Sequence, residues 1–184
     1  MDPFVIVNLE AYFNIKGIST LKNINSADFS GLGSSYPAEE LPKKGVTTIN
    51  DTPFLFPDSE SIVDSLTFDE QLIKLPRGLY KRLHILGAAD NGSFREKVYL
   101  VDGIKKSQIK VGLTGWIVPE PHYSEKKAFI CSMGYSQSEG IVREFKPIIW
   151  HQTVDLNNVG DIEFLQLSDN PAMHLFAITL EKGD

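Results

Sequence analysis

KVYLVDGIKKSQIKVGL, Lys97 to Leu113, decides the fold class. Asp102-Gly103 sits between two runs rich in β-branched residues, and both turn residues tolerate positive φ, so the pair predicts a two-residue hairpin turn. In the return run Ile109, Val111 and Leu113 fall on one side, Gln108 and Lys110 on the other. That is a period of two, the signature of a half-buried strand.

The same reading extends outward. Phe4–Val7 reads as a first strand. Val46–Ile49 and Phe54–Phe56 flank Asn50-Asp51, a second hairpin. Ile62–Leu66 and Gln71–Leu75 follow, and Leu79–Leu86 alternates, with Leu79, Leu83 and Ile85 on one face. Downstream, strands are predicted at Ala128–Met133, Ile148–Val154, Ile162–Leu167 and His174–Leu180. Helical periodicity is confined to Asn8–Phe13 and Pro37–Leu41. About ten short strands with turn residues between them predict an all-β fold. We expect a single antiparallel β-sandwich of jelly-roll type over residues 1–184, with Leu83, Ile85, Val98, Leu100, Ile109, Val111, Ile130, Ile148, Phe176 and Ile178 in its core. The longest irregular segments, Gly17–Lys44 and Thr114–Lys127, are where binding residues are expected.

A chain of 184 residues suffices for one well-buried domain and is short for two. A hydrophobic content of 42% places it among globular rather than disordered sequences. The net charge of −6, with basic residues no denser than Lys43-Lys44 and Lys105-Lys106, argues against nucleic acid as a partner. The single cysteine, Cys131, can form no intrachain disulfide. No apolar run approaches ~18 residues, so no membrane-inserted helix is expected. The N-terminus has no basic segment followed by a long apolar one, so no secretory signal is expected and localisation stays open.

Chemistry-bearing motifs are sparse. The histidines, His84, His122, His151 and His174, show neither H-x-H nor H-x-x-x-H, so a cupin-like metal set is not expected; His174, on a face with Phe176, Ile178 and Leu180, reads as a hydrogen-bonded core residue. Cys131 lies in the apolar run AFICSMG and reads as a small packed hydrophobe. GLGSS, Gly31–Ser35, lacks the lysine and flanking elements of a phosphate loop. No catalytic residue is assigned. Glu39-Glu40 are too close in sequence to straddle a glycosidic bond and read as solvated turn carboxylates. The loop aromatics carry more interest. Trp116, His122 and Tyr123, with Tyr135 after Gly134, could stack on the C–H face of a sugar while Glu120 fixes its hydroxyls. Trp150, alternating with Ile148 and Val154, reads as core.

The order VNLEAYFNIKGIS, ADFSGLGSSYPAEELP, TPFLFP, LPRGLYKRLHILGAADNG and DNPAMHLFAITLE spans nearly the whole chain. It resembles an accessory β-sandwich domain, galactose-binding-like and of jelly-roll type, attached to bacterial and archaeal glycoside hydrolases. The resemblance implies a non-catalytic module that binds carbohydrate or braces a glycan-processing partner chain, without a cofactor. It makes YPAEELP a structural crossover whose glutamates face water. Many jelly-roll modules hold a structural Ca²⁺, for which Glu10, Asp28, Asp58 and Asp169 are the available carboxylates. Two other readings stay open. One is an assembly module that docks a partner or a second copy of itself as a homo-oligomer. The other is a sugar-active enzyme, which requires two or more of His122, Tyr123, Tyr135 and Arg143 to converge in one cleft.

Overall fold

The computed structural model describes residues 3–156 and 159–183. In chain order the strands open with β1 Phe4–Val7, β2 Ile18–Ser19, β3 Ser34–Pro37, β4 Gly45–Ile49 and β5 Thr52–Phe56. Next come β6 Leu66–Asp69, β7 Leu72–Gly78, β8 Tyr80–Ala89, β9 Phe94–Asp102 and β10 Lys105–Leu113. The last are β11 Lys126–Ile130, β12 Gly134–Ser136, β13 Gly140–Val142, β14 Ile148–Asp155, β15 Ile162–Gln166 and β16 Asp169–Lys182. Two 3-10 turns, Glu10–Tyr12 and Ala38–Glu40, occupy the two windows of helical periodicity, and a third spans Ile24–Ser26.

Eight of these strands form an antiparallel β-sandwich. One sheet runs β6-β16-β8-β14 and the facing sheet β7-β15-β9-β10, so the chain passes back and forth between the layers in jelly-roll order. β1 also pairs with β16, and β11 extends the first sheet beyond β14. Between the two sheets lies an apolar core containing Leu83, Ile85, Val98, Leu100, Val111, Ile178 and Leu180.

The first sheet is covered on its other face as well. The β4–β5 hairpin, the short sheet β13-β12-β3-β2 and the loop after β10 bury a second cluster there, with Phe29, Tyr36, Phe54, Phe56, Trp116, Trp150 and Phe176. Leu83–Ala89 of β8 and Met173–Leu180 of β16 are therefore buried at every position, and the alternation expected of a two-layer sandwich disappears along them. Leu79 is exposed because it is the turn between β7 and β8, and Tyr80 takes the buried position. Ile130 is also exposed, at the end of the edge strand β11 after a register shift between Lys127 and Phe129. Ile109 is only partly buried. The region 62–66 contributes only Leu66 to a strand, with Ile62 fully exposed.

Both predicted hairpins form. Lys105 pairs with Asp102, so the first turn consists of Gly103 and Ile104, one residue later than Asp102-Gly103; Gly103 has φ +56. Asn50 and Asp51 form the second turn, with φ +48 and +65, the double left-handed geometry of a two-residue hairpin loop.

Candidate functional site

The Thr114–Lys127 loop is rigid from within. Glu125 is buried and accepts the amide hydrogens of Thr114 at 2.6 Å and Tyr123 at 2.9 Å, while the Thr114 hydroxyl accepts that of His122 at 2.8 Å. Trp116 points inward and is only 5% exposed, with ring centres of Phe29, Tyr36 and Phe145 at 5.2, 5.3 and 5.5 Å. Tyr135 is fully buried, and its hydroxyl donates to Glu39 at 2.8 Å. His122 is exposed. The half-buried Tyr123 lies across Gly112, where any Cβ would fall 2.4 Å from its ring. Glu120 stands in solvent, 3.7 Å from the Lys127 ammonium. The five residues expected to form a sugar platform thus split between interior and surface.

Glu39 and Glu40 are structural rather than free turn carboxylates. Glu39 accepts from Leu21 N–H and Tyr135; Glu40 accepts from the amide and hydroxyl of Ser132. Partial burial pushes the Glu39 carboxyl up, but these bonds outweigh it and hold it below the ordinary range. His174 is buried, yet neither ring nitrogen has a hydrogen-bond partner. Of the four carboxylates considered for Ca²⁺, Glu10 and Asp58 flank Lys44, Asp28 accepts Gly33 N–H, and Asp169 lies opposite Asp69. Among the described residues no three His, Cys, Asp or Glu side chains converge as a metal set.

A different place gathers polar chemistry. On β8, β14 and β16, register places His84 opposite Thr153 and Thr179, and Arg82 opposite Asp155 and Glu181. Directly opposed residues share a face. Toward the strand centres this face is apolar and capped by the β4–β5 hairpin, anchored where Thr179 Oγ1 donates to the Pro53 carbonyl. Past the hairpin tip the face opens into a cleft of about 520 Å³, walled by Phe4, Asn50, Asp51 and Lys126.

Its floor is a hydrogen-bonded chain. Asn50 Nδ2 lies 3.2 Å from His151 Nδ1, His151 Nε2 lies 3.1 Å from His84 Nδ1, and His84 Nε2 lies 3.2 Å from Glu181 Oε2. The carboxylate fixes the tautomers. Glu181 only accepts, so His84 carries its proton on Nε2 and accepts at Nδ1. His151 then donates from Nε2 and accepts the Asn50 amide at Nδ1. Thr153 Oγ1 completes the cluster, 3.3 Å from His84 and 3.5 Å from His151. Burial lowers His84, and Glu181 offsets only part of this. Burial, with His84 and Lys126 nearby, pulls His151 down to about 4. At Glu181 partial burial acts upward, but hydrogen bonds from His84, Lys81 and Arg82 prevail and its carboxyl is lowered.

The fold is expected to be acid-labile through His151. The unfolded chain protonates His151 below the ordinary value of 6.5, whereas the folded one resists until about 4. The stabilisation is complete above about pH 6.5 and is lost as pH falls toward about 4. Allowing for screening where the cleft meets solvent, the loss is on the order of 2–3 kcal/mol. Urea denaturation at pH 7 and 4.5 checks it, with His151→Gln expected to flatten the profile; equal midpoints in the wild type would refute it.

Sequence reasoning singled out neither His84 nor His151, which are 67 residues apart and meet only through the β8–β14 register. The loop aromatics were legible as residue types, but their inward direction depends on the third layer. No curated protein matches the chain. Residues 5–184 match the model of the AziU2-like beta-sandwich domain, and the chain, a jelly-roll sandwich in its described residues, belongs to that family.

Proposed function

We propose that the protein is a non-catalytic binding module for carbohydrate or a similar polyhydroxylated ligand, and that the ligand occupies the cleft over Arg82, Thr153, Asp155 and Glu181. The observation that carries this reading is the lining itself. Donors (Arg82, Lys126) and acceptors (Asp51, Asp155, Glu181) line one open concavity together with Phe4. Sugar hydroxyls both donate and accept, and such a lining satisfies them. All four ring nitrogens of His84 and His151 are engaged within the chain of hydrogen bonds, so the floor offers no free base, which favours binding over catalysis. The accessory role beside a glycan-processing partner chain belongs to the same proposal.

Calorimetric titration with a panel of mono- and oligosaccharides, with and without Ca²⁺, tests it. Asp155→Ala is expected to weaken binding about tenfold, the loss of a charge-assisted hydrogen bond, while His122→Ala leaves it unchanged. No response to any sugar, or a loss confined to His122→Ala, would overturn the cleft assignment.

One feature favours the assembly reading instead. Ile130, on the edge strand β11, and Ile117 are 57% and 47% exposed and line a second concavity with Phe145 and Ile148. An open edge beside exposed apolar side chains suits antiparallel pairing with a second copy. Light scattering of the wild type and Ile130→Lys decides this. A wild-type dimer made monomeric by the substitution supports it; a wild-type monomer excludes it.

A further inference from the structure

We propose that His84 and His151 form a binding site for a first-row transition-metal ion, with Zn²⁺ or Cu²⁺ held by His84 Nδ1 and His151 Nε2 at the floor of the cleft. The inference rests on a triangle of donor atoms. His84 Nδ1 and His151 Nε2 are 3.1 Å apart, and Thr153 Oγ1 is 3.3 Å from the first and 3.5 Å from the second. A zinc ion bound at about 2.0–2.1 Å by imidazole nitrogens keeps tetrahedral ligand atoms about 3.3 Å from one another. The three atoms already stand at the corners of one face of such a site. The fourth position opens into the cleft, where water or a ligand oxygen can reach it.

The outer partners also match. Metal-bound histidines donate their second ring N–H to a carboxylate or carbonyl, which orients the ring and raises its basicity. Glu181 Oε2 lies 3.2 Å from His84 Nε2, and the Asn50 amide lies 3.2 Å from His151 Nδ1. Metal entry requires the two rings to tilt from facing one another toward a common centre, together with a proton shift and an amide turn. The His151 proton passes from Nε2 to Nδ1, and the Asn50 amide turns its oxygen toward it. No net proton is released, because both rings are neutral before and after. The donor type sets selectivity, since imidazole nitrogens suit Zn²⁺ and Cu²⁺, and Mg²⁺ and Ca²⁺ require oxygen ligands. The third donor is a hydroxyl, that of Thr153, rather than a further histidine or a carboxylate. The site does not depend on the cleft's ligand being a sugar.

The test uses the full chain, stripped with EDTA and titrated with Zn²⁺ alone at pH 7.5. One site per chain and a raised melting temperature are expected. His84→Ala and His151→Ala should each weaken binding by about a hundredfold or more, Glu181→Gln by about tenfold, and His122→Ala not at all. Should the histidine variants fail to fold, electron paramagnetic resonance of wild type loaded with one equivalent of Cu²⁺ decides. Hyperfine splitting from two imidazole nitrogens supports the site. Absence of Zn²⁺ binding, a single-nitrogen signal, or loss of binding in His122→Ala overturns it and leaves the pair as a neutral hydrogen-bonded link. Sugar titrations in EDTA separate the two proposals: binding there upholds the polyol cleft whatever the metal result, and metal binding without sugar binding upholds the metal site alone.

Discussion

Replacing Trp116 by alanine is expected to cost about 3–5 kcal/mol of unfolding free energy and to leave ligand binding by the remaining folded protein unchanged. The indole is 5% exposed and is packed by Phe29, Tyr36 and Phe145. Its backbone is also committed, with N–H donating to the Ala89 carbonyl and C=O accepting from Ile148 N–H. A cavity of indole size beneath the third layer cannot collapse, because strands on one side and the Glu125-stapled loop on the other fix its walls. Urea denaturation followed by the fluorescence of the fully buried Trp150 measures the cost directly. If Trp116→Ala unfolds within about 1 kcal/mol of wild type yet abolishes binding, the indole is a ligand platform after all.

Trp116 also shows where the sequence stops being informative. The β9–β10 hairpin was legible because each strand packs one face and the alternation survives in the residue order. Asn50-Asp51 was legible because few residue pairs tolerate two successive positive φ values. The rest of the third layer was not legible. Its strands β2, β12 and β13 are two or three residues long, too short for any period to register. Yet that layer turns Trp116 and Tyr135 inward and removes the alternation from β8 and β16. The cleft was hidden for a related reason. His84, His151 and Glu181 lie on three strands, and their meeting is a property of register rather than spacing. What sequence conveyed at the site was residue type; what it withheld was which types face one another.

The second large effect is expected at Asp64, where alanine should also cost about 3–5 kcal/mol. Asp64 is fully buried. One carboxylate oxygen accepts Gly17 N–H at 2.7 Å; the other accepts Ile18 N–H at 3.2 Å and the Lys16 ammonium at 2.8 Å. Burial pushes its carboxyl above the ordinary range, and Lys16 and the two amides offset this only in part. The ion pair therefore adds little as a charge interaction; its worth lies in what its removal leaves behind. Asp64→Ala leaves a mostly buried ammonium with the Ser59 carbonyl but no counter-charge, and strands two amide hydrogens at the point where segment 15–18 joins segment 64–65. That join carries β2, and through it β3, onto the sandwich, so the loss should reach the third layer. Lys16→Met should cost less, because the carboxylate keeps both amides and can take up a proton. The raised carboxyl has its own pH signature. The native state binds the extra proton, so the Asp64 contribution declines as pH rises from the ordinary value of 3.8 through the higher folded one. Denaturation midpoints of the two variants at pH 7 test the asymmetry. Equal losses would mean that the charge pair, not the capture of the backbone, holds the layer in place.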